Sequence, residues 1–153
     1  MTRVRIAIGS DHAGFHLKQF LKEALEREGY AVRDFGTDSE ASVDYPDIAA
    51  PLARAVAAGE ADLGVLVCSN GVGVSIAANK VAGVRAALCA DPWTARRARE
   101  HTNCNVLALG AYAIGTHVAL DVLHAFLTST FAGGRHARRV AKLEALDRCS
   151  GKG

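Results

Sequence analysis

Residues 63–74 of the chain read Leu-Gly-Val-Leu-Val-Cys-Ser-Asn-Gly-Val-Gly-Val, a continuous apolar run followed by a polar turn with two glycines. The run Leu63–Val67 has the length and composition of a β-strand that is covered on both faces, as strands of parallel sheets are. The glycines end the strand, and the apolar segment from about Val74 to Lys80 predicts a helix directly after them. A strand, a tight turn and a helix in this order predict a βα unit.

The same alternation continues on both sides of this unit. Further β-rich runs predict strands at Val4–Ile8, Ala31–Asp34, Val84–Cys89 and Val106–Leu109. Helical spacing of apolar residues predicts helices at about 17–25, 46–58, 93–101, 114–128 and 137–146. We therefore expect an α/β fold, a single-domain three-layer α/β/α sandwich of Rossmann-like type around a five-stranded parallel sheet. We expect the domain to cover residues 1–148, with a C-terminal helix at about 136–148, and residues 149–153 to form a frayed tail.

The composition excludes several other classes of protein. The 153 residues suffice for one domain, and with 50% hydrophobic and 22% charged residues the chain can build an aliphatic core. The formal net charge of +2 provides no broad field for nucleic acid or an anionic membrane. No apolar run reaches the roughly 18 residues of a membrane span, and the start of the chain lacks the pattern of a signal peptide, so we expect a cytoplasmic protein. The four cysteines are widely spaced without a CxxC pair, which argues against a disulfide scaffold or a zinc ribbon.

Cys68, at the end of the apolar strand, is the first candidate for chemistry. Ligands of open parallel sheets bind beyond the carboxyl ends of the strands, and the N–H groups of the following helix point into the same space. The positive end of that helix stabilises a thiolate, and Gly71 and Gly73 let backbone amides approach an oxyanion. Two other interpretations stay open. One is a small buried residue that closes the strand, and the other is a dinucleotide site, since Gly71-Val72-Gly73 resembles the start of a GxGxxG motif, although Ile76 stands at its sixth position.

The loop after the first strand carries Asp11 and His12, which we expect at the same edge of the sheet as Cys68. Asp11 also suits the N-cap position of the following helix, a role compatible with substrate contact. His12 and His16 are four residues apart, but no glutamate follows in the manner of a zinc-binding helix, so we predict no metal site.

Two basic groups lie elsewhere in the chain. His101 ends a helix at the far side of the sheet from Cys68, where it is either a cation favourable to the helix dipole or a group that reaches a crevice supplied by a second subunit. Arg135 and Arg139 lie one turn apart at the start of the last helix, and their guanidinium groups suit phosphate oxygens. The alternative for this segment is a solvated basic face.

Several of these segments together resemble the ribose-5-phosphate isomerase type B family, which also contains galactose- and allose-phosphate isomerases. The resemblance runs in order and at the family's spacing from about residue 3 to residue 146. The segments that carry it are Gly9–Gly14, Val43–Pro46, Cys68–Gly73 with Ser75–Lys80, Glu100–His101, Asn105–Leu107 and Gly133–His136.

The resemblance implies a Rossmann-like homodimer or dimer of dimers with active sites at the subunit interface, a sugar-phosphate substrate and no cofactor or metal. It implies that Cys68 is the base that moves a proton between C2 and C1, that the glycine-loop amides hold the enediolate oxygen, and that His101 opens the furanose ring across the interface. Some relatives use a glutamate where this chain has Val74, which leaves Cys68 as the base. The predicted catalytic residues are then Cys68, His101, Asp11 and Asn70, and the predicted substrate-binding residues are His12, Tyr45, Ser69, Gly71, Gly73, Arg135, His136 and Arg139.

Three positions depart from the family pattern and bear on the choice of substrate. Asn70 replaces a common threonine, Thr102 replaces the asparagine after the histidine, and Tyr112 replaces an arginine that contributes to phosphate binding. The function we expect is interconversion of D-ribose 5-phosphate and D-ribulose 5-phosphate through a cis-enediolate. The alternatives are isomerisation of another aldose phosphate, namely a tetrose 4-phosphate, allose 6-phosphate or galactose 6-phosphate, and a binding module that holds a nucleotide or sugar phosphate without turnover.

Overall fold

A computed structural model describes residues 3–149 of the protein and shows a sheet of five strands within them. The strands are β1 (Arg5–Ser10), β2 (Ala31–Asp34), β3 (Leu63–Cys68), β4 (Ala86–Leu88) and β5 (Val106–Gly110). Their order in the sheet is β2-β1-β3-β5-β4, and every neighbouring pair is parallel. The predicted five-stranded parallel sheet is therefore confirmed.

Each strand is followed by a helix, and one more helix ends the described chain. The helices are α1 (Phe15–Arg27), α2 (Tyr45–Ala57), α3 (Val72–Asn79), α4 (Pro92–Thr102), α5 (Thr116–Thr128) and α6 (Arg135–Cys149). α6 extends one residue past the predicted limit at residue 148, and the rest of the predicted tail, 150–153, lies outside the described residues. Within residues 3–149, no helix combines the length and apolar character needed to cross a membrane.

The two faces of the sheet carry separate apolar cores. On one face, α1, α4 and α5 contribute buried side chains such as Leu21, Ala95 and Phe126. On the other face, α2 and α3 contribute Leu52 and Val74. Helices thus cover both faces, which confirms the three-layer sandwich. The Cys68 side chain belongs to the core on the α2–α3 face.

Two of the differences from the predicted element boundaries concern α3 and β4. α3 begins at Val72, because Gly71 is its N-cap with a φ of +82° and the Asn70 Oδ1 accepts the Val72 N–H at 3.0 Å. The left-handed glycine turns the chain into the helix at once, so Gly73 lies in the first turn of α3 rather than in the loop. The strand β4 is confined to Ala86–Leu88 and lies at the edge of the sheet beside β5.

The sheet has a topological switch point between β1 and β3. The chain leaves β1 towards β2 at one side of the sheet and later continues through β3, β4 and β5 on the other side. The backbone register pairs Ser10 with Val67 and Cys68 with Gly110, so the ends of the three central strands meet at one edge. Open α/β sheets bind ligands at such a point, and the loops after β1 and β3 therefore form the candidate site.

Candidate active site

The first group of predicted residues meets at the carboxyl ends of β1 and β3. The register that pairs Ser10 with Val67 sets Asp11 beside Cys68, and the Asp11 N–H donates to the Val67 carbonyl at 3.2 Å. Cys68 belongs to the core on the α2–α3 side of the sheet, and Asp11, one residue past β1, lies at the same end of the sheet. Asp11 is 7% exposed and Cys68 is 4% exposed, so only a small part of either residue is open to a substrate in one protomer.

The turn at residues 68–72 is wound around the Cys68 sulfur. The Gly71 N–H donates to Sγ at 3.2 Å, and the thiol lies 4.0 Å from the Asn70 Oδ1. The Cys68 sulfur thus accepts a backbone N–H from its own turn. This differs from the expectation that the Gly71 amide faces a substrate oxygen. Gly73 and Val74 lie in the first turn of α3, where backbone N–H groups have no partner within the helix.

The other described cysteines lie in a different environment. Cys89, which the sequence predicts to be a core residue, is 1% exposed, and burial, with smaller effects of Cys104 and Asp91, raises its pKa to about 12. Burial also raises the pKa of Cys104, against the opposing effects of Thr102 and two arginines. Both side chains are therefore protonated thiols at neutral pH.

Two glycines permit the close approaches that shape the site. A Cβ on Gly110 would lie 2.7 Å from the Asn70 carbonyl carbon, so Gly110 lets the 68–72 turn cross the end of β5. A Cβ on Gly73 would lie 2.7 Å from the Tyr45 Cζ, so the Tyr45 ring rests directly on the first turn of α3. Tyr45 keeps 40% of its surface exposed. The structure thus brings Tyr45, from the start of α2, to the border of the Cys68 turn.

Asp11 and His12 are held by backbone groups of neighbouring loops. The Asp11 Oδ1 accepts the Gly14 N–H at 3.1 Å, and Gly14 is the N-cap of α1. The N-cap interpretation of Asp11 is therefore wrong, because a turn at residues 11–14 separates it from the helix. The His12 Nδ1 accepts the Val43 N–H at 3.2 Å, which places the proton of the neutral ring on Nε2.

The second group of predicted residues gathers where α4 ends and α6 begins. The His101 and His136 rings are stacked, with centroids 4.1 Å apart and an angle of 10° between their planes. Arg135 and Arg139 are exposed on the first turns of α6, and the segment before α6 is tied to α4 by a backbone bond to the Glu100 carbonyl at 3.0 Å. We call these four side chains the basic cluster: His101, Arg135, His136 and Arg139.

One protomer does not bring the basic cluster to Cys68. α4 starts at the carboxyl edge of the sheet, after β4, and returns antiparallel to the strands. His101 therefore lies at the opposite edge, near the start of β5, as the sequence predicts. A site that combines Cys68 with His101 has to take them from different protomers.

The three departures from the family pattern lie in different places. The exposed Asn70 uses its Oδ1 to accept the Val72 N–H at 3.0 Å. Tyr112 is 77% exposed, and its N–H donates to the Ser69 carbonyl at 2.9 Å, so it borders the Cys68 turn. Thr102 lies at the other edge of the sheet, where its hydroxyl donates to the Ala98 carbonyl within α4 at 2.8 Å. Asn70 and Tyr112 are thus the departures nearest to Cys68 in the same protomer.

Sequence reasoning did not single out two residues that shape the Cys68 edge. Leu88, at the end of β4, covers Gly71 so closely that a Cβ on this glycine would lie 2.4 Å from the Leu88 Cδ1. Lys18 in α1 is 0% exposed, and its Nζ lies 3.0 Å from each carboxylate oxygen of Asp34. A lysine in line with Leu21 on the apolar side of α1 is the signal that could have identified the buried charge.

The stacked histidines make the stability of the protein depend on pH. Burial, together with the nearby His101, Arg135 and Arg139, lowers the pKa of His136. The unfolded chain therefore takes up a proton on this histidine at a higher pH than the folded protein does, and stability falls as the pH decreases from about 6.5 to the lowered value. Thermal unfolding between about pH 8 and pH 5 should show a smaller decrease for His136→Phe, which keeps an aromatic ring for the stack, than for the wild type. Equal decreases in both proteins would contradict this assignment.

Comparison with curated proteins identifies close relatives along almost the whole chain. The family model described as ribose/galactose isomerase matches residues 6–143. The chain is 45% identical over 143 residues to ribose-5-phosphate isomerase B of Escherichia coli, a match that covers 94% of this chain and 96% of that protein. It is 42% identical over 139 residues to D-erythrulose-4-phosphate isomerase of Pectobacterium atrosepticum, with 90% of this chain and 91% of that protein covered.

Solved structures of relatives share the fold described above. Ribose-5-phosphate isomerase B of Clostridium thermocellum superposes with a TM-score of 0.95 at 47% identity, and the match covers 96% of this chain and 99% of that chain. The enzyme of the same name from Mycoplasma genitalium, with ribulose-5-phosphate bound, superposes with a TM-score of 0.92 at 40% identity and covers 97% of this chain and 99% of that chain. With the family model matched over residues 6–143, the chain belongs to the ribose/galactose isomerase family.

Proposed function

We propose that the protein is an aldose–ketose isomerase that interconverts D-ribose 5-phosphate and D-ribulose 5-phosphate. The observation that carries the proposal is the Cys68 sulfur, which lies beside Asp11 at the switch point of the sheet and accepts the Gly71 N–H at 3.2 Å. The relative with bound ribulose-5-phosphate supports this choice of substrate. The proposed reaction requires no cofactor. We also propose a cytoplasmic location, because a charged sugar phosphate does not cross a membrane unaided.

In the proposed reaction the Cys68 thiolate removes the C2 proton of the open-chain aldose. The electrons of the C–H bond form the C1–C2 double bond of a cis-enediolate, and negative charge develops on O1, where the Gly73 and Val74 N–H groups stabilise it. The Cys68 thiol then returns the proton to C1, while Asp11 takes the hydroxyl proton from O2 and supplies it to O1. A positioned base of this kind contributes a rate factor of about 10²–10⁴.

The remaining polar groups position the sugar in this proposal. Asn70, through its amide nitrogen, Ser69 and Tyr45 contact the sugar hydroxyls at the border of the Cys68 turn. His12 and the two arginines of the basic cluster bind the phosphate, since guanidinium groups pair with phosphate oxygens through two parallel N–H bonds. Anchoring the phosphate fixes the distance from C2 to the sulfur.

We propose further that each active site is shared between the two protomers of a homodimer. Within the described residues of one protomer, Cys68 and the basic cluster lie at opposite edges of the sheet. Around the Cys68 turn, Val72, Ile76 and Leu88 keep 42%, 53% and 41% of their surfaces exposed. An apolar surface that borders a polar site is typical of a subunit interface. A second copy on this surface would place its His101 near the sugar ring, where it acts as the acid and base of ring opening.

Mixing two inactive variants tests the shared site. Cys68→Ala and His101→Ala should each be nearly inactive alone, but co-expression should restore about a quarter of the wild-type activity, because half of the dimers are hybrids and each hybrid has one intact site. The matched control combines Cys68→Ala with Asp11→Ala. These two residues come from the same protomer of a site, so their hybrids contain no intact site. Equal activity of the two mixtures, with hybrids demonstrated by mass spectrometry, would contradict the shared site.

A substrate panel in heavy water tests the reaction itself. Ribose 5-phosphate is expected to exchange its C2 proton and to form ribulose 5-phosphate, as followed by proton NMR. A tetrose 4-phosphate is the second candidate, because the relative named D-erythrulose-4-phosphate isomerase is 42% identical and because Tyr112 removes a charge from the phosphate-binding pattern. Faster turnover of erythrose 4-phosphate would select this alternative. Phosphate binding without exchange of any sugar in the panel would overturn the isomerase proposal and indicate a binding module.

A further inference from the structure

Lys18 is a charged side chain inside the protein, with 0% of its surface exposed. Its ammonium group donates to both carboxylate oxygens of Asp34, each at 3.0 Å, and to the Thr37 carbonyl. These three acceptors use all three N–H groups of an ammonium. Although burial raises the pKa of Asp34, hydrogen bonds from the Gly36 N–H and Lys18 hold it below its usual value, so the partner is a carboxylate at neutral pH.

The backbone that Lys18 binds is the start of the segment between β2 and α2, residues 35–44, which we call the β2–α2 loop. Two backbone bonds attach the same place to the last residue of β1. The Ser10 N–H donates to the Gly36 carbonyl at 2.6 Å, and the Thr37 N–H donates to the Ser10 carbonyl at 2.7 Å. Asp11 and His12 follow directly, so Lys18 fixes the loop on the strand end that carries these two residues.

The other part of the β2–α2 loop reaches His12. The Val43 N–H donates to the His12 Nδ1 at 3.2 Å, and the Glu40 carboxylate bonds His16 on α1 as a further attachment. An imidazole whose Nδ1 accepts a hydrogen bond has its single proton on Nε2. The position of the loop therefore decides which nitrogen of His12 donates.

We propose that Lys18 is a positioning residue, which acts through the β2–α2 loop to hold His12 as a neutral Nε2–H donor for the phosphate of the substrate. This inference rests on the proposed function, because it requires a sugar phosphate beside His12. A neutral donor adds a directional bond to a phosphate that the arginines already neutralise. The arginines still anchor the phosphate when this bond is lost, so the distance from C2 to the sulfur is kept, and the loss raises KM rather than lowering kcat.

The substitution Lys18→Met tests the proposal, because methionine fills the buried space without an ammonium group. We expect the KM for ribose 5-phosphate and the inhibition constant of inorganic phosphate to rise about tenfold or more, with kcat within about threefold of the wild type. The matched control is Lys22→Met, which removes the second cation of Asp34, 3.3 Å from its Oδ2. Both constants should then change less than about twofold. A lysine that only maintained the fold would lower the active fraction, and with it kcat, at an unchanged KM.

Nitrogen NMR of the histidine rings measures the state of His12 directly. The wild type should show a protonated Nε2 and an unprotonated Nδ1, and Lys18→Met should show a mixture of the two neutral forms. A wild-type ring protonated on Nδ1 would overturn the proposal, and so would unchanged KM and phosphate inhibition in a folded Lys18→Met.

Folding and activity controls separate this inference from the proposed function. Lys18→Gln, whose amide can still donate to the Thr37 carbonyl, is the second variant. If neither Lys18 variant folds, the lysine is required for the fold itself and the positioning role is wrong. If the wild type isomerises no sugar phosphate, the proposed function fails. In that case, calorimetric titration with inorganic phosphate and the His12 spectrum still decide the role of Lys18.

Discussion

Replacing Cys68 by alanine is expected to slow exchange of the C2 proton of ribose 5-phosphate by about 10²- to 10⁴-fold, the contribution of a positioned general base. The substitution deletes the sulfur that accepts the Gly71 N–H, whereas the proposed phosphate contacts lie on His12 and on the partner's basic cluster. Affinity for inorganic phosphate should therefore stay within about twofold of the wild type. Deuterium incorporation measures the first effect, and calorimetric titration with phosphate measures the second.

The control for this experiment is Cys104→Ala. Cys104 is 6% exposed between α4 and β5, and the same atom is deleted there, at the other edge of the sheet. Activity should remain within about twofold of the wild type, with a loss of stability of about 1 kcal/mol from the buried sulfur. An active Cys68→Ala protein would remove the thiol from the mechanism and make Asp11, the neighbouring carboxylate, the candidate base.

Replacing Gly71 by alanine is expected to lower kcat by about 10²-fold or more, because it displaces the turn that holds the Cys68 base, and a positioned base contributes about 10²–10⁴. Gly71 has a φ of +82°, and a Cβ would lie 2.4 Å from the Leu88 Cδ1 and 3.0 Å from the Leu109 carbonyl carbon. Leu109 belongs to a central strand and its backbone cannot yield, so the 68–72 turn has to move. The amide at position 71 then leaves the sulfur of Cys68. Steady-state kinetics and thermal unfolding of the variant measure the two effects.

Gly59→Ala provides a matched control for the backbone strain. Gly59 has a φ of +79°, and a Cβ there meets nothing within 4 Å. The strain of a left-handed alanine, about 1–2 kcal/mol, should therefore appear as a lower melting temperature in both variants. Only Gly71→Ala should lose activity at temperatures where both are folded. Equal activity of the two variants would show that the turn around the sulfur tolerates displacement.

The central strands made the fold predictable from the sequence. Leu63–Val67 and Val106–Leu109 are nearly all apolar, and the structure buries every residue of β3 and β5 in the middle of the sheet. The edge strand β4 was predicted too long. Next to it, the backbone N–H of Arg85 donates to the Asn105 Oδ1 at 2.8 Å. The pattern of apolar residues does not reveal such a bond. The strand order β2-β1-β3-β5-β4 does not follow from any local pattern of the sequence, because it depends on how the helices pack.

Only those parts of the candidate site that depend on residues close together in the sequence could be predicted. A strand followed by glycines located Cys68, and the parallel alternation of strands placed Asp11 at the same edge. The buried pair of Lys18 and Asp34 was missed, since these residues are far apart in the sequence and meet only when α1 packs on the sheet. The use of His101 from a second protomer came from the family resemblance and stays a prediction.

The crowded turn at residues 68–72 limits how such an enzyme can change its substrate. Gly71 is pressed between Leu88 and Leu109, and Gly110 lies against Asn70, so neither an insertion nor a larger side chain fits there without displacing the sulfur. Selection for a longer or shorter sugar would therefore act on the rim, at Tyr112, and in the proposed dimer at the basic cluster of the second copy. Chemistry and specificity would then evolve in separate parts of the chain, which explains how one scaffold can serve sugars of several lengths.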